Sequence, residues 1–461
     1  MMSGRVLAIA IILGAGVNTM GGTACAQERQ ITHSPRNHNL DNNDNFSADG
    51  RFLCYDTRET VGPGINNSLS IEKVEIATEK ETVLYAPEAV TGENSAPGVG
   101  ACSYSPVADR VAFIHGPLLS EVKERGYYGK PNRNGAEVLA DGSQTLSWLD
   151  FRDVAKDRDT LPGAHRGGTH RHEYTLDGKR IGFTYDDFLL PQYDRSIGYM
   201  EPSEKAPGNA THFFAMLVPV APMGKSKPGE LEKAAGDSWV GREGLMRAFI
   251  GKVRAADGVA YEESLYVVDV PRSVDITTAD AGSATRYPQP PEGVKVRRLT
   301  QGNAGGIVRG SVQGDRIAYY AKGSNGKTQI FLIPSDGSDQ ATDPAKRPVQ
   351  ATDLPEGAGS CVRWHPSGNS IAFLYQGGIA VTCVKQGPKF GKTVFVTPRN
   401  DGPERQDLVW SPDGTVFAFS KQTPTPGEDG NPFKTYKGDD PVQIYVVPFP
   451  DADNDGIADG V

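Results

Sequence analysis

Six times along the chain a turn of Ser, Thr, Asp, Pro and Gly type runs directly into an apolar, alternating strand. The turns are Phe46-Ser47-Ala48-Asp49-Gly50, Tyr104-Ser105-Pro106, Tyr174-Thr175-Leu176-Asp177-Gly178, Val312-Gln313-Gly314-Asp315, Trp364-His365-Pro366-Ser367-Gly368 and Trp410-Ser411-Pro412-Asp413-Gly414. The strands that follow include Arg110-Val111-Ala112-Phe113-Ile114 and Arg316-Ile317-Ala318-Tyr319-Tyr320. Turn residues that tolerate positive φ, followed by period-2 alternation, describe a hairpin with a half-buried strand. A third strand (71–74, 329–333, 443–447) and a fourth (81–85, 296–300, 393–396) complete each unit. Four antiparallel strands repeated about every 45 residues describe a β-propeller blade.

The interval from Gly178 to Gly314 is too long for one unit. It implies a degenerate blade with strands at 248–250 and 264–268, so the expected fold is an all-β, seven-bladed propeller over residues 27–450. The last unit has only three strands before the chain ends, and Arg29-Gln30-Ile31-Thr32 resembles the fourth strands of other units. This N-terminal strand is expected to close the last blade, which removes an exposed sheet edge. Two stretches interrupt the pattern: residues 118–135 inside the second blade, and residues 223–243, where a short helix is expected over 229–235. Each is either a binding loop at a propeller mouth or a solvated insertion.

Arg5 followed by the apolar residues 6–15 and by Ala24-Cys25-Ala26 has the form of a secretory signal peptide cleaved after Ala26. Lipidation at Cys25 is disfavoured, because Gly22-Thr23-Ala24 lacks the aliphatic residue that normally precedes a lipidated cysteine. The expected location is periplasmic or secreted, with no membrane-spanning segment after cleavage. Cys54, Cys102, Cys361 and Cys383 remain. An oxidising compartment permits them to pair, but their apolar contexts favour buried free thiols. With 54 Gly and 33 Pro among 461 residues, long helical bundles are excluded. A net charge of -9 with scattered basic residues disfavours nucleic acid as a partner.

The repeated units resemble those of TolB-type propellers. Pro35-Arg36-Asn37-His38-Asn39-Leu40, Phe113-Ile114-His115-Gly116-Pro117 and Arg166-Gly167-Gly168-Thr169-His170-Arg171-His172 resemble the YidR-type family of exported bacterial propellers, a domain of unknown function. So do Thr184-Tyr185-Asp186-Asp187 and Gly236-Asp237-Ser238-Trp239-Val240-Gly241. A more distant likeness is to oligogalacturonate lyases, seven-bladed propellers with a His-rich manganese site at the axial mouth. His170 and His172 match the H-x-H element of those enzymes, but Gly167 stands where they have Gln.

His170 and His172 are two apart on a predicted innermost strand, so alternation places both on one face. With His38 and His165 they are candidates for a divalent metal site (Mn or Zn) at the axial mouth. The competing reading is that these histidines bond neighbouring blades. Arg166, Arg171 and Asp186 are candidates for binding a carboxylated sugar, and Arg180 is a weaker one. A lyase would need a base, for which Lys179, Arg171 and Glu173 are equally eligible. His115 is expected at a blade contact, and His365, in a turn position held elsewhere by Ser or Thr, is expected to be structural. Residues 451–461 read D-x-D-x-D-G-x-x-D, which suits either weak Ca²⁺ binding or a disordered acidic tail. No G-x-S-x-G element occurs, and Gly326-Lys327-Thr328 and Gly391-Lys392-Thr393 lack the glycine of a phosphate loop. Two functions follow: a metal-assisted lyase acting on acidic oligosaccharides, or a non-catalytic propeller that binds a periplasmic protein or glycan.

Overall fold

The computed structural model describes residues 26–41, 44–59 and 64–461, so the predicted signal peptide lies outside the described residues. Among the described residues the strands form seven blades around one axis, each antiparallel and running from the axis outward in chain order except for the outermost strand of blade 7. Blade 1 contains Phe52–Asp56, Ile71–Glu75 and Lys80–Tyr85, and its innermost position is held by the chain at Asn39 and Phe46, which bridge Asp56 and Leu53. Blades 2, 3 and 4 begin with Val99–Tyr104, Gly167–Tyr174 and Leu231–Val240. Blades 5, 6 and 7 begin with Gly305–Gly310, Arg363–Trp364 and Gln406–Trp410. The degenerate unit is therefore a full blade. Its innermost strand occupies the stretch from which a short helix was expected: Gly229 makes the turn and the segment after it pairs with Met246–Arg254. The pattern Leu231, Ala234, Trp239, Val240 is apolar at strand spacing interrupted by a bulge, which disguises its period.

The repeated turn has a mechanical reason. The Ser411 hydroxyl accepts the N–H groups of Thr415 (3.1 Å) and Val416 (3.0 Å) and donates to Asp413 (2.6 Å). Gly414 has φ of 77°, and a Cβ there would lie 2.1 Å from the His365 ring. His365 replaces the usual hydroxyl, with Nδ1 at 2.7 Å from Ser367 Oγ and its ring edge-on to Trp410. It is structural, as expected. Long side chains then tie blade to blade. Trp239 donates to the Glu173 carbonyl (2.9 Å) and Trp364 to the Arg309 carbonyl (2.9 Å), each in the preceding blade. Arg180 reaches the Gly244 and Val270 carbonyls of the next blade, and Arg316 those of Gly368 and Val384. His115 is buried between blades 1 and 2, 3.0 Å from the Tyr85 hydroxyl, and burial pushes its pKa down to about 4.

Arg29–Gln30 pairs antiparallel with Val446 and Tyr445, so the chain's beginning completes blade 7. Thr32 seals the junction: its hydroxyl donates to Gln443 (2.7 Å) and accepts from the Ile444 N–H (2.8 Å). Ile31 is fully buried against Leu40, Tyr55 and Ile444 in the core shared by blades 7 and 1. Residues 451–461, for which disorder was one expectation, fold back on blade 6, burying Ile457 and Ala458. Asn369 and Ser370 donate to the carbonyls of Asp455 and Gly456 (2.8 and 2.6 Å). Among the described residues no helix is long and apolar enough to cross a membrane. Because Ile31 holds the closing strand, Ile31→Ala is expected to lower stability by about 2–4 kcal/mol. Equilibrium urea unfolding would measure this, and a change under about 0.5 kcal/mol, the range of a surface substitution, would contradict the role assigned to the seal.

Candidate ligand site in the axial channel

The innermost strands of five blades share one irregularity. Their register against the second strand slips between Gly100 and Ser103, Gly182 and Thr184, Ala235 and Ser238, Gly305 and Arg309, and Gln406 and Val409. A left-handed residue sits at each slip: Ala101, Arg171, Gly236, Gly306 and Asp407. Each is a β-bulge that re-aims the side chains that follow; it inserts one residue in four of the blades and two in blade 5. In blade 3 the bulge falls between the two predicted metal ligands. Arg171 has φ of 60°, and Arg171 and His172 together oppose Phe183. The alternation that was expected to put His170 and His172 on one face is therefore broken.

Where the innermost strands end, a cavity of about 380 Å³ is lined from all seven blades. Its walls include Asp44, Glu173, Arg309 and Arg363, with the rings of Tyr104, Trp239, Trp364 and Trp410. Arg309 is buried. Burial first, then Arg363 and Arg171, push its guanidinium well below the ordinary arginine value. Arg363 meets Asp44 (3.1 Å), Arg171 donates to the Asp237 carbonyl (2.9 Å), and Glu173 accepts from Ser238 (2.7 Å) beside Arg247 (2.9 Å). Glu173, Arg309 and Arg363 stand two residues before the Ser, Thr or His of their turns. A charged residue at that position, held by Asn45, Ser103 and Val409 in three other units, was the available signal for the two arginines that sequence reading missed.

At the opposite end of the channel lies the insertion of blade 2, with a single turn of helix at Val122–Arg125. Arg152 donates to the Gly167 carbonyl (3.0 Å) and to the Pro131 carbonyl (3.2 Å), pinning the insertion to blade 3. A Cβ at Gly168 would lie 2.0 Å from the Lys130 carbonyl oxygen, so this backbone approach requires glycine. The Gly167-Gly168 pair thus serves the insertion.

The four candidate histidines separate. His165 lies 3.3 Å from Asp150, which also accepts from Thr169 (2.6 Å), the Gly135 N–H (2.9 Å) and Asn134 (2.7 Å). Burial opposes ionisation of Asp150, but His165, His172 and Thr169 outweigh it and hold the carboxyl below the usual range. His172 is 3.1 Å from Thr169, and burial pushes it down to about 4. His170 instead meets Thr184 (3.2 Å), and His38 meets Ser34 (2.9 Å), Glu81 (3.3 Å) and the Val442 carbonyl (3.2 Å). His165 and His172 thus gather near one carboxylate, and His38 belongs to the junction of blades 7 and 1. This donor arrangement does not fit one ion shared by the four imidazoles. Among the described residues the group of metal-type ligands whose atoms lie within 4.8 Å of one another is Asp451, Asp453 and Asp455, in the folded-back tail.

The predicted binding residues also divide. Arg171 reaches the axis. Arg166 is fully buried against Asp187 (3.0 Å) and the Ser283 carbonyl, and Asp186 pairs with Arg195 (2.7 Å). Lys179 is exposed in its turn, away from the axis, whereas Glu173 lines the cavity. Asp407, which sequence reading also missed, is pushed up to about 7 by burial, with Asp41 and Asp56 adding and Arg58 opposing. A carboxyl with a raised folded pKa binds more protons folded than unfolded, so stability is present below pH 4 and declines as pH rises toward 7. Asp407→Asn is expected to flatten that part of the stability profile and to raise stability at pH 7.5. Unfolding midpoints measured from pH 4 to 8 check this, and parallel profiles for both chains would refute it.

The family model described as "Protein of unknown function (DUF3748)" matches residues 98–212, the span that holds the blade 2 insertion and the Gly167-Gly168 strand. The uncharacterized protein YidR of Escherichia coli (strain K12) is 30% identical over 432 residues, covering 87% of this chain and 97% of that protein. Among solved structures, a putative TolB from Agrobacterium tumefaciens is 14% identical (83% of this chain, 98% of that chain, TM-score 0.38). An oligogalacturonate lyase in complex with manganese is 12% identical (94% of this chain, 96% of that chain, TM-score 0.40). On the extent of the match to YidR, this propeller belongs to the YidR family.

Proposed function

We propose that this chain is an exported binding propeller whose axial cavity takes an acidic oligosaccharide. The observation that carries the reading is that Arg309 and Arg363 both line one cavity with aromatic walls, with Arg171 close enough to act on Arg309. Guanidinium groups match carboxylates in charge and geometry, and Trp and Tyr rings suit the apolar faces of sugars. A lyase on the same substrate class is the less supported reading. Glu173 is the candidate base that reaches the cavity, but it accepts from Ser238 (2.7 Å) and pairs with Arg247 (2.9 Å).

Calorimetry with galacturonate oligomers and with uncharged galactose oligomers tests this. The acidic series is expected to bind and the neutral series not. Arg309→Gln and Arg363→Gln are each expected to weaken binding about tenfold or more, the range of a lost charge-assisted contact. Equal binding of both series would sink the proposal. Growth of ultraviolet absorbance from an unsaturated product during incubation would favour the lyase instead.

A further inference from the structure

Arg133 lies in the blade 2 insertion, at the end of the channel away from the axial cavity. Its side chain is 5% exposed, and its guanidinium stacks over the Tyr128 ring at 5.2 Å. Yet Nε and Nη1 are buried without a hydrogen-bond acceptor among the described residues. A buried guanidinium with unmet donors is costly, and such groups are rare unless a ligand completes them. The surroundings sharpen the point. Gly168, whose missing Cβ would lie 3.0 Å from the Arg133 backbone nitrogen, pairs in register with Asp186, and His170 pairs with Thr184. Gly168 and His170 are two apart before the bulge, so Asp186, Thr184 and His170 share the face that the insertion covers. Both oxygens of Asp186 are taken by Arg195 (3.3 and 2.7 Å). The hydrogen bonds of Asp186 are thus committed to Arg195, and although Asp186 acts favourably on Arg133 at a distance, Arg195 beside it opposes with like charge.

We propose that Arg133, with Arg195 and His170 beside it, binds an oxyanion, either a free inorganic anion or the carboxylate or phosphate group of a larger ligand, at the mouth roofed by the insertion. The site is separate from the axial cavity and stands or falls without it. Tyr128 supports the guanidinium plane from one side, and the unmet donors supply the contact.

The full chain in zwitterionic buffer is titrated with inorganic phosphate, sulfate and acetate, with potassium chloride at matched ionic strength as control. Binding is read by calorimetry and by the unfolding midpoint. At least one oxyanion is expected to bind saturably and raise the midpoint beyond the chloride control. A response to phosphate and sulfate alone marks a phosphate-type ligand, and one to acetate a carboxylate. Arg133→Gln is expected to abolish the response while leaving the anion-free midpoint equal to or above wild type, because it removes an unpaired buried charge. Arg133→Lys, which keeps the charge but not the fork, is expected to fold and bind about tenfold or more weakly. The proposal is overturned if wild type responds to no oxyanion, if Arg133→Gln responds as wild type does, or if Arg133→Gln lowers the midpoint equally with and without anion or fails to fold.

Discussion

Every blade depends on its neighbours, because no single four-stranded sheet here buries both of its faces alone. A buried apolar cluster at each of the seven junctions makes the ring one body, and between blades 3 and 4 and blades 5 and 6 long side chains add hydrogen bonds to backbone carbonyls of the adjacent blade. Trp239 and Trp364 reach backward, and Arg180 and Arg316 reach forward. Such contacts satisfy carbonyls at the blade ends that would otherwise be buried unpaired. The seam between blades 7 and 1 uses the chain's own beginning, where Thr32 serves as donor and acceptor and Ile31 fills the core. The closing strand covers the outer side of blade 7, while the innermost strands keep one edge on the channel, where polar groups gather.

What occupies that axis is set by the bulges. A regular innermost strand would alternate its side chains between the two neighbouring blades. The left-handed residue in each of five blades breaks the alternation near mid-strand. In blade 3 the break sends His172 toward Asp150 and leaves His170 with the face that carries Thr184 and Asp186. The same device puts Arg171 and Asp407 at left-handed positions, where the structure holds non-glycine residues at some conformational cost. The charged groups near the axis are matched by partners: Arg363 by Asp44, Arg171 by the Asp237 carbonyl, and Asp41 and Asp56 by Arg58.

Much of the architecture was legible in the chain. The turn units reveal themselves because Ser, Asp and Gly have fixed jobs at fixed offsets, and because the second and third strands alternate cleanly. The closing strand was legible for the same reason: Arg29-Gln30-Ile31-Thr32 repeats the pattern of other fourth strands. Blade 4 was harder, and its innermost strand was mistaken for a loop with a short helix. Its bulge at Gly236 and polar Lys233, Asp237 and Ser238 blur the period from which strands are recognised.

The site was far less legible. Local order alone determined the blades, their number, the N-terminal closure and the structural role of His365, since each rests on contacts within one unit or on a repeated spacing. Only the tertiary structure decided which polar side chains meet. His38 and His165 share a residue type but not a place, whereas Arg309 and Arg363 lie 54 positions apart in the chain and meet on the axis. Arg133 acquires its unmet donors only when the insertion settles on Gly168. The physical reason is that convergence on an axis depends on the sum of seven blade rotations and on where each bulge turns the strand, and neither quantity is written in any short stretch of residues.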